Sequence, residues 1–289
     1  MLISTKAGIE TGNLSATTEK MMQPQPIASV FADYVLELGA FSLQAGLRYE
    51  YQKTHYYEAG ILQPTPSPHY HHFLPMASVF YRKGDWNAGL SFKLLKLSPG
   101  YSMLSSAVSY INKYQYSNGN PNLVPQIHRG FSLNAGWKWI NLDLYYDHTL
   151  DMYTSYLKPY DDVNHPGVSL MTKASIPHTY AYGGAISATP KIGFWQPNIS
   201  TDIFWFHSNA RSLGIEQLWS EPLFSFRLDN SFLLPQGWFI NLTGSISTRA
   251  KQSYAIFKRN GYVDLRISKT FCSDQNLQVS IISYYVCQH

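Results

Sequence analysis

Apolar and polar residues alternate along much of the chain with a period of two. In residues 41–51, FSLQAGLRYEY, one set of alternate positions is mostly apolar and aromatic, and the other is small, polar or charged. Successive side chains of a β-strand leave opposite faces of the sheet, whereas a helix would scatter these residues around its axis. The pattern therefore predicts a strand with one apolar and one polar face.

The same alternation recurs clearly in three further segments and more weakly in others, and no segment has a convincing helical period. The thirteen predicted strands are 2–11, 27–38, 41–51, 73–83, 86–97, 131–139, 141–156, 176–190, 197–208, 223–234, 238–248, 263–267 and 277–286.

Short and long connections alternate between these strands. The short ones are 39–40, 84–85, 139–140, 191–196, 235–237 and 272–276, and the long ones are 53–71, 98–126, 157–175, 209–222 and 251–258. In an up-and-down antiparallel sheet, alternate connections lie at the same edge. One edge therefore carries tight turns and the other carries large loops, an asymmetry typical of outer-membrane barrels.

Aromatic residues support the same interpretation. Five of the seven tryptophans lie beside predicted short turns, namely Trp86, Trp137, Trp139, Trp195 and Trp238. Many tyrosines lie toward the long-loop ends of their strands, namely Tyr49, Tyr51, Tyr56, Tyr57, Tyr145, Tyr146, Tyr153 and Tyr156. Bilayer interfaces favour two such bands. Most predicted strands also have the length of about 9–11 residues that a tilted membrane strand needs.

Composition narrows the protein class. Charged residues make up 14% of the 289 residues and aromatic residues 15%, against about 25% charged in a typical soluble domain. No run of apolar residues is long enough for a transmembrane helix. Two classes fit, a transmembrane β-barrel and a secreted β-sheet protein, although a sandwich would need a turn roughly every 8–12 residues. The net charge of +4 is mild and the basic residues are scattered, so no nucleic-acid partner is expected.

Three segments carry a family resemblance: LQAGLRYEYQKTHYYE (43–58), LSPGYSMLSSAVSYINKYQYSNGNPNLVPQ (97–126) and PKIGFWQPNIS (190–200). The second closes in G-N-P-x-L-x-P. Over roughly residues 28–271 the chain resembles the C-terminal barrel of a TonB-dependent outer-membrane receptor, and more narrowly the outer membrane protein beta-barrel family common in Bacteroidetes. The resemblance implies an all-β, antiparallel up-and-down transmembrane barrel in the cell outer membrane.

The resemblance also implies a function and partners. A receptor of this kind imports a scarce nutrient such as a siderophore, glycan or peptide. It contacts outer-membrane lipid and works with a plug domain and TonB. Two alternatives are a structural or adhesive outer-membrane barrel without TonB coupling, and a soluble secreted β-sheet binding protein.

Residues 1–289 are expected to be a partial barrel domain. Family members have a signal peptide, a plug and a closed barrel of about 22 strands, and this sequence shows no signal peptide, plug or recognisable TonB box. An odd number of antiparallel strands cannot close a barrel. Transport by this chain alone is not expected.

The long segment 98–126 holds the first group of candidate site residues. The resemblance implies an extracellular loop, in which asparagine-initiated turns shape the chain and two tyrosines supply flat contact surface. The motif is expected mainly to shape its own loop, with ligand contact as the alternative. Its residues are Tyr114, Tyr116, Asn118, Gly119, Asn120, Pro121, Leu123 and Pro125.

Charged residues on the polar strand positions form the second group. In a barrel they face the lumen, where they stay hydrated, pair with one another or contact a plug. They are Arg48, Glu50, Lys93, Lys138, Asp143, Asp264 and Arg266.

The remaining chemistry is sparse. His69, His71 and His72 form the only histidine cluster, and a polar loop rim is expected there rather than a metal site. Cys272 and Cys287 make no disulfide framework. No catalytic triad order, P-loop, GxGxxG or HExxH motif is present, so neither an enzyme nor a cofactor is expected.

Overall fold

The computed structural model describes residues 3–8, 27–53, 56–58, 61–63, 69–161, 163–214, 219–253, 255–271 and 277–288. Nearly all of these residues are in strands. The strands are β1 (Ile3–Gly8), β2 (Ile27–Leu38), β3 (Phe41–Lys53), β4 (Tyr56–Glu58), β5 (Ile61–Gln63), β6 (His69–Lys83), β7 (Trp86–Leu97), β8 (Ser109–Asn112), β9 (Gln115–Ser117), β10 (Gln126–Trp137), β11 (Ile140–Asp161), β12 (His165–Ala188), β13 (Trp195–Ser208), β14 (Trp219–Ser220), β15 (Leu223–Leu234), β16 (Trp238–Ser247), β17 (Ala250–Ser253), β18 (Ala255–Phe257), β19 (Asn260–Phe271) and β20 (Leu277–Gln288).

Helical structure is limited to short turns. Helix α1 covers Tyr101–Leu104, and single 3₁₀ turns cover Arg211–Leu213 and Pro235–Gly237. Among the described residues, no helix has the length and apolar character needed to cross a membrane.

Thirteen strands form one antiparallel sheet in chain order. Their order is β1-β2-β3-β6-β7-β10-β11-β12-β13-β15-β16-β19-β20, which confirms the predicted up-and-down sheet. Among the described residues β1 pairs only with β2 and β20 only with β19, so the barrel is open. The short strands β4, β5, β8, β9, β14, β17 and β18 belong to the connections.

The register gives this sheet two distinct faces, because directly paired residues point to the same side. Leu133 pairs with Leu90 and Leu144, whereas Ser132 pairs with Ser91 and Tyr145. We call these two sides the apolar face and the polar face. Large hydrophobic residues stay exposed along the apolar face, as lipid-facing residues of a barrel do.

Buried apolar residues are few in the part of the chain that is described. They are Leu104, Leu123, Leu170, Ala174, Ile176, Ala210 and Ala250, and all lie in the connections or in the first half of β12, which extends beyond its neighbour β13. A sandwich would bury the inner faces of two packed sheets. A single sheet without such a core rules out the soluble sandwich.

The two rims differ as predicted. Tight turns at 39–40, 84–85 and 138–139, with slightly longer ones at 189–194 and 235–237, define the short-turn rim. Gly39 and Gly84 have φ of 61° and 57°, the left-handed backbone that two-residue hairpin turns require. The other connections define the long-loop rim. The predicted turn at 272–276 lies outside the described residues.

Tryptophans line the short-turn rim. Trp86 and Trp137 are directly paired at the ends of β7 and β10, and their rings stack 5.6 Å apart. Tyr146 lies on the apolar face toward the long-loop rim, but Tyr145 lies on the polar face and Tyr153 lies beyond the end of β10. The predicted tyrosine band is therefore only partly lipid-facing. The side chains of Tyr56 and Tyr57 lie outside the described part of the structure.

The prediction of a loop at 157–175 is wrong. Strands β11 and β12 continue as a paired hairpin as far as the pair formed by Asp161 and His165. Their neighbours end earlier, since Ile127 of β10 pairs with Leu150 and Ser208 of β13 pairs with Thr179. Residues 151–177 thus project beyond the long-loop rim, and we call them the projecting hairpin. Pro159, Pro166 and Gly167 interrupt the alternation that would have predicted it.

The projecting hairpin changes its facing where it leaves the sheet. Asp151, which lies opposite Pro177, has a left-handed φ of 54°. On β12 the buried positions are even-numbered from Leu170 to Ile176 and then shift to Thr179. The buried side of the hairpin is covered by the connection between β7 and β10.

Candidate functional site

The connection at 98–125 is ordered and crosses the projecting hairpin. Its strand β9 pairs in parallel with the free edge of β12, so that Gln115, Tyr116 and Ser117 lie opposite Ser169, Leu170 and Met171. The other edge of β12 pairs with β11. We call residues 98–125 together with 151–177 the outer platform. The prediction that residues 98–126 lack strand or helix structure is wrong, because α1, β8 and β9 lie there.

Tyr153 forms hydrogen bonds with both ends of the connection at 98–125, which we call the crossing loop. Its hydroxyl lies 2.9 Å from the Leu97 carbonyl oxygen and 2.8 Å from the Val124 carbonyl oxygen, and it can donate its proton to either one. It also accepts from the backbone N–H of Gln126 at 3.1 Å, and the Gln126 side chain accepts from the Tyr153 N–H. Burial raises the pKa of Tyr153, so the hydroxyl remains a donor at neutral pH.

We expect Tyr153→Phe to loosen residues 98–125, because it leaves backbone groups at both loop ends without their partner. The cost should be about 1–3 kcal/mol of local stability, seen as faster amide hydrogen exchange in the loop. Tyr114→Phe is the control, since Tyr114 lies in the same loop and is 62% exposed. Equal exchange in the two variants would contradict this role.

The motif at 118–120 is held almost entirely by backbone hydrogen bonds. The N–H groups of Asn118, Gly119 and Asn120 donate to the carbonyls of Met171 (3.1 Å), Ser105 (2.7 Å) and Met103 (2.7 Å), respectively. The Asn120 side chain donates to the Lys173 carbonyl at 3.1 Å and accepts from the Asn122 N–H at 3.0 Å. These residues join three parts of the outer platform.

Other motif residues divide between the interior and the surface of the platform. Leu123 and Pro125 are buried, and Pro121 is half-buried. The Tyr116 ring packs against the Tyr160 ring at a tilt of 41°, with 4.8 Å between the ring centroids. Tyr114 is exposed and lies beneath the Lys113 ammonium, 4.7 Å from its ring centroid.

An aspartate shapes the tip of the projecting hairpin. The carboxylate of Asp161 accepts from the backbone N–H groups of Asn164 and Val163, each at 3.0 Å, and from the Asn164 side chain at 2.6 Å. These hydrogen bonds, led by that of the Asn164 backbone, lower the pKa of Asp161 from 3.8 to about 2.

The lowered pKa of Asp161 predicts how the tip responds to acid. Because the folded pKa lies below the ordinary value, the turn's stabilisation is present above pH 3.8 and is lost as the pH falls through about 2. Carboxyl-carbon NMR should show a midpoint near pH 2 for Asp161. Asn164→Ala should move the midpoint toward the ordinary value. A midpoint at the ordinary value in the unchanged protein would refute these hydrogen bonds.

On the polar face, Glu50 centres a buried charge cluster near the long-loop rim. The Lys96 ammonium lies 2.6 Å from one of its carboxylate oxygens and the Arg48 Nε lies 2.6 Å from the other. Gln52 accepts from Lys96 at 2.9 Å and from Ser98 at 2.8 Å. The side chains of Lys96 and Glu50 are only 4% and 10% exposed.

A second polar ladder runs across β15, β16 and β19. Arg227 donates to Asp229 at 2.7 Å and to the Tyr262 hydroxyl at 2.9 Å. Thr243 donates to the same aspartate at 2.5 Å. Asp264, directly paired with Thr243, shares this face. Arg227 and Asp229 alternate with Leu228 in the sequence, and that spacing could have identified them.

Of the remaining residues predicted to face the lumen, three lie on the polar face and one lies in a turn. Arg266 and Lys93 lie exposed on the polar face. Asp143 accepts a short hydrogen bond from its cross-strand partner Asn134. Lys138 instead lies in the turn between β10 and β11, with φ of 53°, and its ammonium is 5.1 Å from the Trp137 ring. Lys138 is therefore not on a strand face.

The histidine cluster is split between the two faces. His69 and His71 pair with Tyr51 and Tyr49 through hydrogen bonds of 3.0 and 2.7 Å. His72 is directly paired with Glu50 on the opposite face. In the described part of the chain, no group of three or more histidine, cysteine or acidic residues is arranged to hold a metal.

An antiparallel up-and-down sheet with one apolar face, aromatic residues at both rims and large loops at one rim is the architecture of an outer-membrane β-barrel. Residues 10–282 match the model of the outer membrane protein beta-barrel family, and the chain belongs to this family. The protein is therefore an outer-membrane protein. No curated protein sequence matches the chain.

Solved structures share the fold at low sequence identity. A mutant of the ferric enterobactin receptor PfeA from Pseudomonas aeruginosa matches with a TM-score of 0.60 and 11% identity over 89% of this chain and 39% of its own. The FrpB iron transporter from Neisseria meningitidis matches at 0.57 and 12%, over 86% and 39%. The copper transporter OprC matches at 0.63 and 13%, over 91% and 42%. The chain thus spans about two-fifths of the length of these proteins.

Proposed function

We propose that this chain forms part of the barrel wall of a TonB-dependent outer-membrane receptor that imports a scarce nutrient. The outer platform carries the proposal. It is a large connection that is fixed at both ends by Tyr153, docked edge-on to β12 and placed at the long-loop rim, where a ligand from outside would arrive first.

The proposed ligand is a siderophore, glycan or peptide. Aromatic rings on the outer platform could contact any of these ligands. Tyr110 and Tyr114 are 66% and 62% exposed. Tyr116 packs against Tyr110 and Tyr160. Aromatic rings present a large apolar surface with a polar edge. The named cargoes of the structural neighbours differ, so they do not select one ligand for this chain.

The proposal includes completion of the barrel by further strands and by a plug. Side chains on both faces of β20 are exposed, including Ile281 at 72% on one face and Tyr284 at 70% on the other. An exposed apolar edge strand pairs readily with another strand. The polar face, with the Glu50 cluster and the Arg227 ladder, would then line the lumen and contact the plug.

Uptake by cells tests the proposal. Cells that depend on the gene should import one member of a panel of siderophores, oligosaccharides and peptides, and deleting either the gene or TonB should abolish that uptake. Replacing Tyr110 and Tyr114 by alanine should raise the half-saturating ligand concentration. Uptake or adhesion that persists unchanged without TonB would favour the structural or adhesive barrel.

A further inference from the structure

Three parallel rows of residues cross strands β10 to β13 on the apolar face. The basic row, nearest the long-loop rim, is Arg129, His148, Tyr180 and His207. The aromatic row, two residues closer to the membrane centre on each strand, is Phe131, Tyr146, Tyr182 and Trp205. The glycine row, two residues further again, is Leu133, Leu144, Gly184 and Ile203.

The basic row places nitrogen donors at the outer edge of the lipid-facing surface. Arg129 and His207 are exposed. The His148 ring stacks on Tyr180 at 4.6 Å and shares a hydrogen bond of 3.1 Å with His178, which lies just above the row. An imidazole has a second nitrogen beyond the one used in that bond.

Three acidic residues of the paired wall lie on the other face, and Asp151 of β11, one position beyond Leu150, interacts electrostatically with His178. Asp143, Asp147 and Asp202 all occupy polar-face positions. On the apolar face, positions 127–137, 140–150, 178–188 and 199–207 carry no carboxylate. Within these positions the lipid-facing side of the wall presents donors and one fixed positive charge, a charge arrangement that complements an anion.

Below the aromatic row lies an apolar groove of about 530 Å³ centred on Gly184. Leu144, Ile186, Ile203 and Phe224 line it together with Asp202, whose strand position belongs to the polar face. The stacked rings of Tyr182 and Trp205, 5.5 Å apart, stand at its upper end. Because a water-sized group takes roughly 30 Å³, the groove has room for one acyl chain.

We propose that the basic row and the groove together bind one phosphate-bearing lipid of the outer leaflet. The phosphate lies against Arg129 and the imidazoles, and an acyl chain occupies the groove. The two features are four residues apart along each strand, or about 13 Å, which places them at headgroup and acyl depth. The site opens on the bilayer that the apolar face already contacts, so it is independent of the outer platform and of transport.

Native mass spectrometry of the protein extracted from outer membranes in neutral detergent tests this site. Titration with bisphosphorylated lipid A should show one bound lipid, and enzymatically dephosphorylated lipid A should bind about tenfold more weakly or worse, as expected when a charge-assisted hydrogen bond is lost. Arg129→Gln should weaken binding of the phosphorylated form to a similar extent and leave that of the dephosphorylated form unchanged. Arg211→Gln, which removes an exposed charge away from the row, is the matched control.

Filling the groove gives a second test. In Gly184→Leu the new Cβ would meet only the flexible end of Leu144, at 2.5 Å, and the Asp143 carbonyl oxygen, at 3.1 Å, and the added side chain should weaken binding of both lipid forms. Gly244→Leu is its control, because that glycine shares the apolar face and a Cβ there meets nothing within 4 Å. Heat-modifiable migration in gel electrophoresis confirms that each variant is folded. Equal binding of both lipid forms, or equal effects of a variant and its control, would overturn the proposal.

Discussion

Replacing Glu50 by glutamine is expected to lower the free energy of unfolding by about 3–5 kcal/mol. The substitution keeps the shape of the side chain but removes the carboxylate that lies 2.6 Å from the Lys96 ammonium. That ammonium is then almost completely buried beside a neutral amide, and a buried charge without an opposite charge is strongly destabilising. Guanidinium unfolding of the membrane-inserted protein, followed by tryptophan fluorescence, measures the change.

A substitution of the partner residue Lys96 and a double variant make this prediction specific. Lys96→Met should cost less, because Arg48 still pairs with Glu50. Combining Glu50→Gln with Lys96→Met should recover part of the loss, since no buried charge then lacks its partner. Asp264 is a half-buried carboxylate on the same face. Asp264→Asn should therefore lower the free energy of unfolding by much less than Glu50→Gln. Strictly additive effects would show that the two groups do not interact.

Gly119→Ala is expected to loosen the packing of the crossing loop, and with it the hydrogen bonds of residues 118 and 120 to the projecting hairpin. A Cβ at this position would lie 2.3 Å from the Met103 carbonyl oxygen and 2.7 Å from that of Ser105. Both are backbone atoms of the same connection that accept hydrogen bonds from the motif, so residues 103–105 and 118–120 must move apart and those bonds weaken. The expected cost is about 3 kcal/mol, with residues 98–125 becoming open to protease and fast in hydrogen exchange.

Gly100→Ala is the matched control for this loop. Gly100 lies in the same connection, has φ of −70°, and a Cβ there meets nothing within 4 Å. The substitution should therefore leave the loop unchanged or stabilise it slightly. Similar protease sensitivity in both alanine variants would mean that residue 119 does not hold the loop in place.

Local patterns in the sequence were sufficient to predict the strands of the sheet and its short turns. Alternation in 41–51 predicts β3 and its faces, because a half-buried strand in any context needs a period of two. Turn residues such as Gly39 and Gly84 likewise predict the short-turn rim, since their backbone conformation is a local property. The order of the strands then follows from the lengths of the connections.

Long-range contacts explain what the sequence did not reveal. Lys96 continues the apolar-face positions of β7, such as Leu90, yet its side chain reaches Glu50 on β3, with β6 between them in the sheet. Tyr153 was predicted to be a membrane-interface tyrosine, but it binds the ends of a loop whose carbonyls lie 56 and 29 residues away in sequence. The projecting hairpin is covered by that loop rather than by lipid, and Pro159, Pro166 and Gly167 interrupt the alternation in its sequence.

Spin-label accessibility on β10 tests most directly whether the apolar face contacts lipid. A nitroxide is attached in turn at positions 132, 133, 134 and 135, in protein whose Cys272 and Cys287 are replaced by serine, and the protein is reconstituted into bilayers. Labels at Leu133 and Ala135 should collide with lipid-soluble oxygen, and labels at Ser132 and Asn134 with a water-soluble nickel chelate. Equal accessibility at all four positions, or the reverse alternation, would contradict a barrel wall with this face toward lipid.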